Sequence, residues 1–372
     1  MMGFKKLHSL AVAMGLVLAA PALWAQIKIG QTAGFTGAVA ASVKETADGA
    51  KLYLDAVNAG GGIGGRSIEI ISMDDKFDPK LAAENAKKLI DQGVLALFLT
   101  RGTPHNQAIL PLLSEYKVPL IAPSTGAMVL HQPVNPWVFN VRASYQREAE
   151  RAIQHLATTG LTRIAIIQVD DSFGADAAAG ALKGFAAIAK TPVLHEKFDR
   201  SKPDFAAIVP KVVQSNAQAV LFLGSGSMVV NGVTALRKAG WSAQLITLSN
   251  NASSGFIKEL GSYAHGIVVC QVFPSERNLA LPMVKEVHDL AKAKGIDDVT
   301  PAMLEGFAGA KVLVEGLRRA GRDLTRAGLQ KTLEGFKRVD IGGLEVTYSS
   351  SDHTGLDYAD LSIVGTDGRF RR

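Results

Sequence analysis

Two short stretches carry most of the hydrogen-bonding chemistry in this sequence. Arg101, Gly102, Thr103 and Pro104 follow the apolar run 95–99, and Ser124, Thr125 and Gly126 follow the apolar run 119–122. A guanidinium, three hydroxyls and the free backbone N–H groups of a helix start are all donors. Donors gathered in this way hold an oxyanion or another small polar acceptor. Catalysis asks for more, namely a nucleophile with its base or a pair of carboxylates. The histidines, among them His105, His131, His195, His288 and His353, are scattered without metal-ligand spacing. His105, next to the first stretch, reads as a partly exposed helix residue. Ser124 and Ser225 lack the glycine pattern of a hydrolase elbow. The expectation is therefore binding without chemistry, with no metal and no cofactor.

Three other patterns have plain structural explanations. The glycine-rich segment 58–65 follows a helical pattern and leads into a strand, whereas a phosphate loop follows a strand and opens a helix. Asp74, Asp75 and Asp78 lack the glycine and closing glutamate of a calcium loop. Asp78 followed by Pro79 is instead a helix cap and first-turn proline. Cys270, the single cysteine, lies inside the apolar run 266–272 and reads as a buried small residue.

The donors need elements to hold them. Each apolar run is short, ends in small polar residues and is followed by a helix start, which describes neighbouring parallel strands with loops at their carboxyl ends. Ligands of open α/β sheets bind at such ends. The same rhythm continues along the chain. Strands at 27–30, 67–73 and 138–141 alternate with helices at 43–58 and 79–92. From Arg163 it begins again, with strands at 164–169, 193–198, 219–223, 244–248 and 266–272. Three of these end in polar loops, 170–174, 224–227 and 249–251. Two such runs, split near residue 143, predict two lobes, each a parallel sheet with helices on both faces. The tail breaks the rhythm, with helices at 282–294, 301–320 and 325–334 and strands at 344–348 and 358–365. It is expected to return to the first lobe and cross once more to the second.

The chain has 372 residues, 47% hydrophobic and 20% charged, which are globular values. Lys5 and Lys6 precede an apolar run at 10–20 and a small-residue exit at 21–25, the pattern of a secretory signal. Without residues 1–25 the net charge falls from +6 to +4. The basic residues form no stripe, so nucleic acid is not an expected partner. An exported chain with one cysteine has no internal disulfide and relies on its core.

Taken in order, 27–30, 58–65, 102–104, 122–127, 140–145 (Asn-Val-Arg-Ala-Ser-Tyr), 171–174 and 353–355 (His-Thr-Gly) resemble the periplasmic solute-binding proteins of ABC transporters, in the leucine/isoleucine/valine-binding group. The resemblance spans residues 26–372. It implies a type I periplasmic binding fold of class α/β, with two Rossmann-like lobes and parallel central sheets joined by a three-segment hinge. With crossings near 143, 273 and 351, the expected division is a signal peptide at 1–25, lobe I at 26–143 plus 274–350, and lobe II at 144–273 plus 351–372. It also implies a periplasmic location and capture of a small-molecule ligand for an inner-membrane ABC permease. A free-standing sensor of the same fold is the alternative.

The resemblance also assigns roles. Thr103 would hold a ligand carboxylate, and Ser124, Thr125 and Gly126 would add hydroxyl and backbone contacts. Phe173 would cover the ligand from the second lobe, where Ser225 stands in place of a second aromatic residue. The acid that would pair with a ligand ammonium falls at or beside Ser249, and Ser249, Asn250 and Asn251 are all uncharged. A buried ammonium without a carboxylate costs several kcal/mol, so the expected ligand is a carboxylate-bearing solute with no obligatory amine. Arg101 has two orientations open to it. Turned outward it is a solvated rim charge, marginally the simpler reading. Turned inward it would form a two-pronged carboxylate contact.

Overall fold

The computed structural model describes residues 26–372, so the expected signal peptide lies outside the described residues. The first lobe opens with β1 (Ile27–Ala33), α1 (Ala40–Ala59), β2 (Ile68–Asp74), α2 (Pro79–Asp91), β3 (Ala96–Phe98), α3 (Thr103–Tyr116), β4 (Leu120–Ile121) and β5 (Val138–Phe139). The second runs through α4 (Tyr145–Thr158), β6 (Ile164–Val169), α5 (Ser172–Ala187), β7 (Leu194–Phe198), α6 (Phe205–Gln214), β8 (Ala219–Leu223), α7 (Ser227–Lys238), β9 (Gln244–Thr247), α8 (Ser254–Leu260) and β10 (Val268–Gln271). The chain then returns with α9 (Pro282–Ala293), α10 (Pro301–Ala320), α11 (Arg326–Glu334) and a small hairpin, β11 (Val339–Asp340) with β12 (Glu345–Val346). It crosses back to finish as β13 (Asp360–Val364) and β14 (Phe370–Arg371).

Both sheets are wound alike. The first has the order β2-β1-β3-β4-β5, all parallel, and the second contains β7-β6-β8-β9-β10, also parallel. In each sheet the strand order reverses beside the first strand, between β1 and β3 and between β6 and β8. Ligands of doubly wound sheets bind outside the carboxyl ends at that switch point. Those ends carry residues 99–103 in one lobe and residues 170–173 and 224–227 in the other.

Two features depart from the simple alternating pattern. β13 and β14 add antiparallel strands to the edge of the second sheet. The tail arrives from the first lobe, so it needs no helical crossover to pair with β10. β1 runs three residues beyond the stretch read as a strand, because Gln31, Thr32 and Ala33 pair with Ser72, Met73 and Asp74. The polar side chains hid that extension. Thr32 satisfies its hydroxyl by donating to Asp75 at 3.1 Å.

Side-chain caps start the helices where the sequence predicts them. Asp78 accepts from the Leu81 amide at 2.8 Å, with Pro79 in the first turn of α2. Asp171 accepts from the Phe173 and Gly174 amides at 2.9 and 3.1 Å and so aims the start of α5. The glycine-rich segment after α1 is the expected helix-to-strand turn, with Gly61, Gly62, Gly64 and Gly65 at positive φ. Each lobe buries its own apolar core, one around β6, β8 and α5, the other on both faces of the first sheet.

The first-lobe core depends on a close crossing of α1 and α10. A Cβ on Gly306 would overlap the Thr46 carbonyl, and one on Gly49 would overlap Met303 backbone. Gly306→Ala is expected to lower unfolding free energy by about 2–4 kcal/mol, since backbone cannot yield as a side chain can. Urea denaturation followed by circular dichroism measures it, and an unchanged midpoint would refute the crossing.

Candidate functional site

β3 is only three residues long, and the chain leaves it through Leu99 at φ +50° and Gly102 at φ +93° before α3 begins. The loop after β4 runs alongside, with Arg101 bridged to Ser124 and the Ser124 amide donating to the Thr100 carbonyl at 2.8 Å. Arg101 turns inward and is 4% exposed, so the outward orientation is not the one adopted. Its Nη1 donates to Ser124 Oγ at 2.8 Å. Its Nη2 donates to Ser42 Oγ at 3.2 Å and, across the lobe boundary, to the Asn250 carbonyl at 2.7 Å. All three partners are neutral oxygens.

The other expected site residues fall into groups. Thr103 and Thr125 are buried and share a hydroxyl–hydroxyl bond of 3.1 Å, which leaves one of the two protons uncommitted. Asn250 donates to Ser225 Oγ at 2.9 Å and to the Gly224 carbonyl at 3.0 Å, while its Oδ1 is buried without a partner. Arg101, Ser124, Asn250 and Ser225 therefore form one connected chain through both lobes. Ser249 belongs to a different network. It accepts from Arg142 at 2.9 Å, and its amide donates to Glu148 at 2.8 Å. Phe173 lies edge-on to Tyr145 at 4.8 Å. Gly126 accepts from the Tyr145 amide at 2.7 Å, and a Cβ there would overlap the crossover backbone at Ala143 and Tyr145.

Sequence reasoning missed the acids. Ser124 donates to Glu305 Oε1 at 2.7 Å, so its single proton is already committed in this conformation. Glu305 Oε2 also lies 3.9 Å from Arg142, whose close ion-pair partner is Glu148. The polar loop 249–251 is uncharged as read, yet carboxylates reach the layer from α10 and α4. A lone glutamate in the otherwise apolar opening of α10 was the available signal. His105 is fully buried rather than partly exposed. It stacks on Phe77 at 4.4 Å.

Burial dominates the electrostatics. It raises the Glu148 carboxyl, with Arg142 pulling the other way. It opposes the Arg142 charge, but Glu148, Tyr145 and Glu305 together outweigh it and leave that group above its usual range. Burial pushes the His105 imidazole down to about 4. It takes His131 to about 4 as well, helped by Arg142. It lifts Asp75 to about 6. Burial also raises the Cys270 thiol, which keeps it unreactive. Among the described residues no cluster of histidine, cysteine or acid is arranged to hold a metal ion, and no helix is long and apolar enough to cross a membrane.

The lobes are pressed together. The Ser227 amide donates to the Ala38 carbonyl at 3.0 Å. Glu45 of α1 accepts from the Ser254 and Gly255 amides of α8 at 3.0 and 2.8 Å. Cavities that touch Asn250, or Ser249 with Glu305, have about 10 Å³ each, about one water. Larger hollows lie elsewhere, one of about 260 Å³ under α1 in the first lobe and an outer one of about 700 Å³ between Glu45 and α8. The polar layer is thus a closed interface, and a solute reaches it only if the lobes part.

Residues 26–367 match the family model described as periplasmic binding protein. A Leu/Ile/Val-binding protein homolog 3 of Brucella melitensis is 26% identical over 356 residues, covering 94% of each chain. Among solved structures, a substrate-binding periplasmic protein from Ralstonia solanacearum superposes with a TM-score of 0.86 at 28% identity, covering 93% of this chain and 99% of that one. A possible leucine/isoleucine/valine-binding protein from Rhodopirellula baltica gives 0.88 at 24% identity, covering 95% and 98%.

Two measurements check this geometry. A Cβ on Gly226 would overlap the Ala38 carbonyl, so Gly226→Ala should hold the lobes apart. X-ray scattering should give a larger radius of gyration than for the natural chain, at unchanged helix content, and equal radii would refute the contact. The second concerns acid. Between about pH 4 and 6.5 the unfolded chain protonates His131 while the folded one does not, so stability falls with pH by up to roughly 3 kcal/mol. Asp75 has the opposite sign over about pH 4 to 6, because its raised value favours the protonated fold. His131→Gln should therefore lose less stability than the natural chain between pH 7 and 4.5 in guanidinium titrations.

Proposed function

This chain belongs to the periplasmic binding protein family, and from that premise we propose that it captures a small carboxylate-bearing solute between its lobes in the periplasm and delivers it to an inner-membrane ABC permease. It does so without catalysing a reaction. Residues 1–25 serve as the export signal. The lobes comprise residues 26–143 with 274–350, and 144–273 with 351–372.

One observation carries the ligand chemistry. Arg101 is a buried guanidinium at the strand ends whose hydrogen-bond partners are all neutral. A carboxylate would replace them with shorter, charge-assisted bonds, two at once if it docks side-on. The first turn of α3, with the Thr103 hydroxyl, supports negative charge from the same side. The open first lobe would take the solute through Arg101, Thr103 and Thr125. The second lobe would then close with Phe173, Ser225 and Asn250. Only a solute that touches both lobes favours the closed state.

Glu305 supports a second reading, in which the solute is an amino acid. It is hydrogen-bonded to the same Ser124 hydroxyl that receives Arg101. An α-amino acid with its carboxylate on Arg101 would have its ammonium within reach of this acid.

Calorimetry on the purified protein separates the readings. Aromatic and aliphatic acids are expected to bind, leucine weakly or not at all. Arg101→Gln should weaken acid binding about 10–100-fold, the equivalent of one or two charged hydrogen bonds. Tight leucine binding without a response to amine-free acids would select the second reading. Unchanged acid affinity in Arg101→Gln would remove Arg101 from the site.

A further inference from the structure

The hollow of about 260 Å³ under α1 is lined by the first lobe alone. Ala47, Ala50 and Leu54 face it from the helix, and Ile68, Ile70 and Leu99 from the sheet side. Two alanines at facing positions leave the helix short of the sheet, which is why the space exists. Gln31 of β1 and Ser72 of β2 are the polar residues on the sheet side. Ser72 Oγ donates to Gln31 Oε1 at 3.0 Å, and Gln31 is 4% exposed. The Gln31 Nε2 donates to no described residue. Asn58, by contrast, is fully engaged with Ile68. Its Nδ2 donates to the Ile68 carbonyl at 2.9 Å, and its Oδ1 accepts from the Ile68 amide at 2.8 Å. At the rim, Lys51 and Asp55 pair with each other at 2.7 Å.

Volume, polarity and charge together define what fits. An apolar cavity of about 150 Å³ is enough for benzene, so this one has room for a single ring with a short substituent. Its walls are chiefly aliphatic, which favours an apolar body. The primary amide of Gln31 offers two donor protons. Water can meet them while the hollow is empty, but a ligand that displaces water must bring its own acceptor. Charge is disfavoured. Lys51 and Asp55 are the charged residues at the hollow, and each already has the other as partner. An ion taken inside would lose its hydration and gain no counter-charge.

We propose that this hollow is a second binding site, separate from the layer between the lobes. It takes an uncharged small molecule with an apolar body and one acceptor oxygen, such as a ketone, held by the Gln31 Nε2. The inference does not rest on the carboxylate reading above. No lining residue comes from the second lobe or from the Arg101 layer, so the site neither waits for closure nor competes with the solute. Its occupant lies behind α1, the helix that carries Ser42 to Arg101 and Glu45 to α8.

Acetophenone and ethylbenzene have nearly the same shape and differ in the carbonyl oxygen. They test the site on the purified protein with isotope-labelled isoleucine and leucine methyl groups followed by NMR. Both should shift the Leu54, Ile68, Ile70 and Leu99 methyl signals saturably. Ala47→Leu places a larger side chain in the hollow and should abolish those shifts. Gln31→Leu should weaken acetophenone relative to ethylbenzene about 3–10-fold, the equivalent of one neutral hydrogen bond. Benzoate should not displace acetophenone. If either variant does not fold, the other carries the comparison. No saturable shift at these methyls would mean that the hollow holds only water, and would overturn the inference. Shifts that survive Ala47→Leu, an unchanged affinity ratio in Gln31→Leu, or displacement by benzoate would overturn it too. None of these outcomes touches the carboxylate reading, which stands or falls with Arg101.

Discussion

A guanidinium buried between two separately packed cores is the constraint around which this molecule is arranged. Arg101 leaves the first sheet, turns away from water and ends on a backbone carbonyl of the opposite lobe. A charge in that position is tolerable only with good partners, and here the partners are neutral oxygens from three segments, Ser42, Ser124 and Asn250. Arg142 shows the other solution. It is buried as deeply but paired with Glu148, and it cross-links the crossover to α4 and Ser249. One cation is charge-paired within the protein, and the other is held by neutral oxygens alone.

The apolar parts make this possible by keeping out of the way. Each lobe encloses its own hydrophobic core, with Ala38 and Phe77 of the first lobe packed against that of the second. Much of what lies between them is hydrogen-bonded and charged, the kind of surface that water can cover when the lobes separate. An apolar interface of the same extent would resist opening. Glycines then set how closely the surfaces meet, since Gly226 lies against the Ala38 carbonyl and Gly255 against the Ala41 side chain.

Much of this was legible in the residues. Short apolar runs ending in Arg101-Gly-Thr and Ser124-Thr-Gly, repeated as Asp171-Ser-Phe-Gly and Gly224-Ser-Gly, marked strand ends and helix starts, because backbone geometry imposes those patterns locally. The cap at Asp78, the turn at 58–65 and the burial of Cys270 follow from the same local rules. The direction of Arg101 did not, because a long side chain can point either way from one loop. His105 was read as half-exposed because the face it buries against, Phe77 with Arg200 beyond it, is assembled from two other loops.

By itself, then, the order of residues determined the alternating elements, the two-lobed class and the loops that carry the donors, all of which follow from interactions between near neighbours in the chain. Only the tertiary structure decided which of those donors meet. Arg101 reaches Asn250 across 149 positions, and Ser124 meets Glu305 across 181. Contacts of that span depend on how two sheets are wound and how far two lobes close, and no local pattern encodes either quantity.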